Sequence, residues 1–439
     1  MAASQQLGAA PAFVSIGAAR PGLQVSAPAA AGSLRAVPET GAAASPQRPS
    51  SAPFVASAGV GLACLAGKRQ RGLRRRGAGS RRAAAVALAA SSVDCVGIVG
   101  CSGAVGQEML KCLEERNFPT KKLRLFAKRA AGSKVETKFG EVTVEEFSVE
   151  AAQECDIVLM AVSGGFSEEF SPKIIGGPKN TTVIDNSSAF RYKDDIPLIV
   201  PEINGGENSA APLIANPNCT TAIGAMALWP LHQKFKLKKV LMSTYQAASG
   251  AGAEGMAELE AGLAEYVKDG KVSKPEVFAY QLPFNVIPQI DAFQENGYTK
   301  EEMKVVWETQ KIFGCKEIAC SCTAVRIPTR RAHSEAITVE TQEPITVEAA
   351  REVLRDAPGV DLVDAPAEKV YPMPLTATKK YNVEVGRLRS SLVFQPRGLD
   401  LFVSGDQLLR GAALNAVMIA EYKLKEWGGV KRPADAVAA

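Results

Sequence analysis

The chain has 439 residues, 46% of them hydrophobic and 22% charged, with 38 Gly, 26 Pro and nine Cys. That is enough for two domains with a sizeable core, and it excludes a collagenous, wholly disordered or disulfide-dense protein. The formal net charge of +5 is uneven: residues 1–93 hold 11 Lys/Arg against the single acid Glu39, and the remaining 346 residues carry a net −5, which excludes a nucleic-acid binder on charge grounds.

Residues 1–92 are rich in Ala, Ser, Gly, Pro and Arg and show no helical or strand period that persists. Such a segment buries too little apolar surface to offset its ordering entropy. Its acid-poor, Arg- and Ser-containing character reads as an organellar transit segment, plastid ahead of mitochondrion. The alternative is a disordered basic arm that binds anions. An apolar run over residues 52–66 precedes the basic cluster Lys68–Arg76, but about 15 residues is short for a bilayer span. No stable membrane association of the mature protein is expected.

The folded part opens with Val93–Val99, a short β-branched run that leads into Gly100-Cys101-Ser102-Gly103-Ala104-Val105-Gly106. A helical pattern follows, with Val105, Met109, Leu110 and Leu113 on one face. Strand, glycine turn and helix are what a pyrophosphate-binding loop needs, although the spacing is GxxGxxG rather than GxGxxG. The next strand, Lys122–Ala127, ends in Lys128-Arg129, where an NAD site places an acid. A guanidinium there pairs with a 2′-phosphate, so NADP(H) is expected, with Arg129 favoured. Two solvated surface bases are the alternative.

Apolar runs at Cys155–Val162, Thr182–Asp185 and Leu213–Ala215 predict further strands of a parallel sheet buried on both faces. Ser163-Gly164-Gly165, Asn186-Ser187-Ser188 and Asn216-Pro217-Asn218-Cys219 follow these strands, on the side where such sheets bind ligands. Cys219 precedes a predicted helix, Ala222–Leu231, stopped around Pro230. A thiol at a helix N-terminus is a nucleophile by the dipole and free N–H groups, or else a small buried residue. The cysteines form no pattern with metal-ligand spacing, and no metal is expected.

Of the two histidines, His232 stands at that helix's end and reads as a surface or cap residue. His333 precedes a strand at Ala336–Val339 and follows Arg326 in one short segment. It is the better partner for Cys219, and Arg326 offers a rigid fork to a substrate carboxylate.

Together, GCSGAVG, SGGFS, DNSSAFR, VPEIN, PNCTT, YQAASGAG, EEMKVVWETQKI, VRIPTRRAHSE and GAALNAV stand in an order that resembles the aspartate-semialdehyde dehydrogenase family, over residues 93–427. The resemblance implies an α/β chain: a Rossmann-type NADP-binding domain over 93–219 and an α+β substrate and dimerisation domain with a mixed sheet over 220–403. It also implies a C-terminal helix over 404–427 that packs back on the first domain, before a tail at 428–439. A homodimer, or further assembly to a tetramer, comes with it.

The same resemblance makes Cys219 the nucleophile, Gln246 the residue that orients the acyl group, and His333 the acid/base. Arg326 would hold the substrate α-carboxylate and Glu301 its amino group, while Arg191, Asn218 and Lys304 would bind phosphate. Gly100, Ser102, Gly103, Ala104, Val105, Gly106, Lys128, Arg129, Ser163, Gly164, Gly165 and Asn415 would hold the cofactor. The implied reaction is reversible, NADPH-dependent conversion of L-aspartyl 4-phosphate to L-aspartate 4-semialdehyde and inorganic phosphate, on the route to lysine, threonine, methionine and isoleucine. Two departures stand out: Ala127–Gly132 lacks the serines common beside the arginine, and Met418 replaces a common Gln. The rival readings are N-acetylglutamyl-phosphate reductase and a non-catalytic NADP-binding redox sensor. The first would have no use for Glu301; intact Cys219, Gln246, Arg326 and His333 argue against the second.

Overall fold

The structure, a computed structural model, describes residues 92–206 and 211–427. Residues 1–91 of the expected targeting segment, and the tail from 428, lie outside the described residues. Two sheets organise the chain. The first has seven strands: β1 (Val93–Val99), β2 (Thr120–Phe126), β3 (Lys134–Thr137), β4 (Gly140–Glu145), β5 (Ile157–Met160), β6 (Thr182–Asp185) and β7 (Leu213–Ala215). Their order is β3-β4-β2-β1-β5-β6-β7, parallel throughout except for the β3–β4 hairpin. Helices α1 (Ala104–Glu115), α2 (Val149–Gln153), α3 (Gly164–Ile175) and α4 (Pro201–Asn204) connect these strands. The predicted 155–162 strand shortens to four fully buried residues, because Cys155 and Asp156 turn into it and Ala161 leaves it toward the ligand face.

The chain then enters α5 (Cys219–Phe235) and a second sheet of β8 (Leu237–Gln246), β9 (Ala319–Arg326), β10 (His333–Thr341), β11 (Val360–Leu362), β12 (Val383–Ser390) and β13 (Gly398–Gly405). The order β11-β12-β13-β10-β8-β9 mixes parallel outer pairs with antiparallel inner ones. Helices α6 (Gly252–Asp269), α7 (Lys300–Phe313), α8 (Val347–Arg355) and α9 (Pro374–Ala377) are inserted along this half, and α10 (Leu414–Trp427) closes the chain. The α/β architecture with a Rossmann-type parallel sheet and a separate mixed sheet is the one expected. No helix among the described residues is long and apolar enough to cross a membrane.

The strand β8 alternates strictly over its second half, burying Val240, Met242, Thr244 and Gln246 and exposing Leu241, Ser243 and Tyr245. Its inner face packs on α5, where Ile223 and Met226 share a core with Met242, Ile337 and Val403. Helix α10 returns to the first sheet, where Leu414, Val417 and Ala420 are buried in one cluster with Val96, Ile98 and Met109. It does not begin as a regular helix, however. Leu409–Ala413 form a π-turn before the α-helix starts at Leu414.

Two local expectations are corrected. Helix α5 starts at Cys219 and runs through Pro230 to Phe235, rather than stopping near the proline. An internal proline costs about 3 kcal/mol, and burial of Leu231 and Phe235 beyond it outweighs that cost. His232 is a cap but not a surface residue. Its buried Nδ1 accepts the N–H of Leu237 at 3.2 Å, and its ring stacks on Trp229 with centroids 5.8 Å apart.

Candidate active site

The turn after β1 is built on glycine where no other residue fits. Gly100 has φ +85°, and a Cβ there would lie 2.3 Å from the Ala161 carbonyl oxygen. A Cβ on Gly106 would lie 2.2 Å from the Gly100 carbonyl oxygen, so its absence lets α1 close onto the loop. Gly103 is the N-cap of α1 and contributes no side-chain cap, which leaves the N–H groups of Ala104, Val105 and Gly106 to an anion. Ser102 is exposed beside them. Ser163 stands at the N-cap position of α3 without a side-chain cap hydrogen bond, and Gly165 has no heavy atom within 4 Å of where its Cβ would be. Lys128 and Arg129 stand exposed just past β2, and neither is paired with a carboxylate among the described residues. Open main chain at two helix N-termini, with two cations at the neighbouring strand end, fits a phosphorylated dinucleotide.

Sheet topology then gathers the reacting groups. Strands β8 and β9 are parallel and β10 runs antiparallel to β8, so the last residues of the first two and the first of the third share one edge. Gln246 and Arg326 are register partners there, and His333 begins β10. Cys219 arrives from the other sheet as the first residue of α5. Asn218 caps that helix, its Oδ1 accepting the N–H groups of Thr220 at 3.0 Å and Thr221 at 3.2 Å. Cys219, Gln246, Glu301, Lys304, Arg326, Arg191 and Asn218 line one cavity of about 260 Å³, with Val105 of α1 and Gly411 of the π-turn on its wall.

The electrostatics are closely balanced. Burial, then the charge of Glu301, pushes the Cys219 thiol up to about 12, while Arg191, Lys304 and Arg326 pull it the other way. Glu301 accepts from Asn218 Nδ2 at 3.0 Å and Gln246 Nε2 at 3.2 Å, and pairs with Lys304 Nζ at 2.9 Å. Against the cost of burial, Lys304 and the two amides hold its carboxyl below the usual range. Lys304 also pairs with Asp291 at 2.8 Å. Arg191 donates to Glu308 at 3.2 Å and to the Asn186 carbonyl at 2.9 Å.

His333 is fully buried directly behind the cavity wall, its Cε1 3.3 Å from where a Cβ on Gly250 would stand. Its Nδ1 accepts the Ala247 N–H at 3.0 Å, which assigns the ring proton to Nε2, an atom with no hydrogen-bond partner among the described residues. Burial, then the Arg326 cation, pushes the imidazole down to about 3, so it is neutral at pH 7. Arg326 is itself fixed by a 2.6 Å hydrogen bond to the Ala247 carbonyl.

Asn415 stands one layer back from the expected cofactor contact. It is fully buried, donating to the Ile199 carbonyl at 2.9 Å and to Asn216 Oδ1 at 2.6 Å, and Asn216 in turn reaches Asn186 on the cavity wall. Two carboxylates escaped the sequence reading. Asp291 carries no motif. Glu308 is fully buried against Arg191, Tyr192 and the Asn218 N–H, and its spacing from Glu301 and Lys304 places all three on one helical face. The arrangement offers a capped thiol, a neutral imidazole, three cations for carboxylate or phosphate groups, and a buried carboxylate for an ammonium.

Residues 95–211 match the family model described as semialdehyde dehydrogenase, NAD binding domain, and residues 228–410 match semialdehyde dehydrogenase, dimerisation domain. The chain is 44% identical over 336 residues to the aspartate-semialdehyde dehydrogenase of Aquifex aeolicus, spanning 75% of this chain and 98% of that one. It is 43% identical to the Bacillus subtilis enzyme of the same name, over 74% and 96% of the two chains. Among solved structures, aspartate-semialdehyde dehydrogenase II from Vibrio cholerae complexed with ASA aligns with a TM-score of 0.73 at 38% identity, covering 77% of this chain and 100% of that one.

Proposed function

The chain belongs to the aspartate-semialdehyde dehydrogenase family, and from that premise we propose that it converts L-aspartyl 4-phosphate to L-aspartate 4-semialdehyde and inorganic phosphate, with NADPH, through a thioester on Cys219. The observation that carries this reading is the single cavity where a helix-capped cysteine faces Arg326, Glu301, Arg191 and Lys304. A thiol alone would suit many reactions. The surrounding charges select a substrate with a carboxylate, an ammonium and a phosphoryl group.

In the proposed mechanism, the Cys219 sulfur attacks the acyl carbon as the C–O bond to phosphate breaks, the thiol proton leaves on the departing phosphate, and Arg191 and Lys304 receive that anion. Arg326 pairs with the α-carboxylate, and Glu301 with the α-ammonium. Gln246, buried beside Glu301, orients the acyl group. The Cys219 N–H, which the Asn218 cap leaves free at the start of α5, stabilises the oxyanion, an effect worth about 3–4 kcal/mol where such a donor is lost. Gly100, Ser102–Gly106, Ser163–Gly165 and Arg129 would hold the cofactor, which when bound supplies the hydride that reduces the thioester. His333 keeps its proton at Nε2 for the charge that develops as the carbon–sulfur bond breaks, a contribution of about 10²–10⁴ in rate. The homodimer is the expected assembly for a chain with a dimerisation domain. Biosynthesis of lysine, threonine, methionine and isoleucine, in a plastid, is the setting that the sequence supports.

The test mixes the purified chain with L-aspartate 4-semialdehyde and NADP⁺, with and without phosphate, and follows NADPH absorbance. Phosphate-dependent NADPH formation that Cys219→Ala abolishes is the expected result. Turnover with N-acetylglutamate semialdehyde instead would overturn the substrate assignment, and silence with both would overturn the enzyme reading.

A further inference from the structure

Arg331 lies outside the cavity lining, two residues before His333, yet it joins three separate parts of the site. Its buried guanidinium donates through Nε to Asp406 at 2.7 Å and through one terminal nitrogen to Glu108 at 2.9 Å. Glu108 belongs to α1, one turn beyond the glycine loop. Asp406 directly follows β13 and opens the turn after it, and its other oxygen accepts the N–H groups of Leu408 and Leu409, at the start of the π-turn whose Gly411 lies against Cys219.

The backbone around Arg331 is held equally firmly. Ala332 has φ +69°, a left-handed conformation that a non-glycine residue keeps only where its surroundings impose it. Its N–H donates to Gln407 Oε1 at 2.9 Å, and Gln407 donates to Ser249 on the cavity wall. The strap carrying His333 is therefore bolted on one side to the nucleophile's backing segment and on the other to the cofactor-loop helix. A planar guanidinium suits this junction, because its fork fixes angles as well as distances.

We propose that Arg331 is a positioning residue that keys His333 to helix α1 through Glu108, setting the acid/base and the dinucleotide loop in the one relative placement that hydride transfer needs. The inference rests on the functional reading above. Acyl transfer to Cys219 uses only groups on the Asp406 side of the junction, whereas reduction of the thioester needs both sides in register. Losing the Glu108 link should therefore spare the first step and slow the second. Misplacement of about 1 Å can cost roughly 100-fold in rate.

The test uses the full chain and Glu108→Ala, which removes the acceptor that Arg331 reaches and lies outside the cavity. Single-turnover phosphate release from L-aspartyl 4-phosphate without cofactor reads acyl transfer; steady-state NADPH oxidation reads the whole cycle. The expected result is phosphate release within about twofold of wild type and kcat down at least tenfold with KM for NADPH little changed. A larger deuterium isotope effect from reduced cofactor labelled at the transferred hydrogen should accompany it. An unchanged kcat overturns the proposal, and so does an equal fall in both steps, which would mark a merely structural role. If Glu108→Ala does not fold, Glu108→Asp, too short to span the contact to Arg331, must show the same split or the proposal fails. Wild-type protein that releases no phosphate would instead overturn the functional reading itself.

Discussion

The Oε2 atom of Glu308 accepts a 2.6 Å hydrogen bond from the main-chain N–H of Asn218, the residue that caps the helix of Cys219. The other carboxylate oxygen takes Arg191 and the Tyr192 hydroxyl, each at 3.2 Å. One buried side chain thus sets both the nucleophile's helix cap and the aim of a proposed phosphate-binding cation. Glu308→Ala should strand a buried guanidinium and a buried N–H, lowering stability by about 3–5 kcal/mol and kcat about 100-fold. Glu308→Gln, which can still accept from Asn218, should recover most of the activity. Denaturant unfolding together with steady-state kinetics checks both; an unchanged kcat in the Ala variant would remove Glu308 from the site.

Glu301 ranks next after burial among the causes that keep the Cys219 thiol protonated. A substrate ammonium paired with Glu301 would relieve that effect, so binding and activation of the nucleophile are linked. Glu301→Gln should therefore lower the thiol's pKa in the resting protein while weakening turnover. Below its pKa a thiol's alkylation rate rises about tenfold per pH unit. The pH profile of iodoacetamide inactivation should accordingly move to lower pH, with faster inactivation at pH 8. An unmoved or alkaline-shifted profile would contradict it.

Gly411 touches the nucleophile more closely than any side chain could. A Cβ there would lie 2.6 Å from the Cβ of Cys219 and 2.9 Å from its Cα. Because the π-turn Leu409–Ala413 is pinned by Asp406 at one end and by buried Leu414 at the other, it has little room to retreat. Gly411→Ala should cost about 1–3 kcal/mol of stability through overpacking and reduce kcat by at least about tenfold by displacing Cys219. A folded variant with wild-type kcat would show that the segment can yield.

Much of this was legible in the chain and some was not. Parallel strands buried on both faces announce themselves as apolar runs, so β1, β6 and β7 fall where the residues place them. The family motifs singled out the groups that line the cavity. What they could not convey is the company each keeps. Asn218 serves as a helix cap and as a donor to Glu301, and Lys304 is already shared between Glu301 and Asp291. The Asn218–Glu301 contact is long-range, created when α7 packs beside α5. Helix α5 outran Pro230, and His232 went inward, for the same reason: tertiary burial overrode the local signal. Glu308 was within reach of sequence reasoning, since 301, 304 and 308 recur at helical spacing.

Arg129 is exposed past β2 with no carboxylate partner among the described residues, so its cation is available to a 2′-phosphate. Arg129→Ala should raise KM for NADPH by about 10–100-fold, as expected for loss of a hydrogen bond to a charged group, and leave KM for NADH within about twofold. The same comparison on Lys128→Ala separates the two bases. Equal effects on both cofactors would show that Arg129 does not read the phosphate.

Glu335, two residues beyond His333 on β10, is fully buried with neither carboxylate oxygen hydrogen-bonded among the described residues, and a Cβ on Gly224 would meet it at 2.6 Å. Burial holds this carboxyl protonated well above the usual carboxylate range. In the unfolded chain it ionises near pH 4.3. Above that pH the native state binds the extra proton, so this group's contribution to stability falls as pH rises, by about 1.4 kcal/mol per unit while the native carboxyl stays protonated. Glu335→Gln has no proton to lose and is free of that slope. Whatever its fixed cost from burying an amide, the stability difference between variant and wild type should move in the variant's favour between pH 5 and pH 7. Urea unfolding at both pH values measures it, and a difference independent of pH would mean that Glu335 is ionised, and partnered, in the native protein.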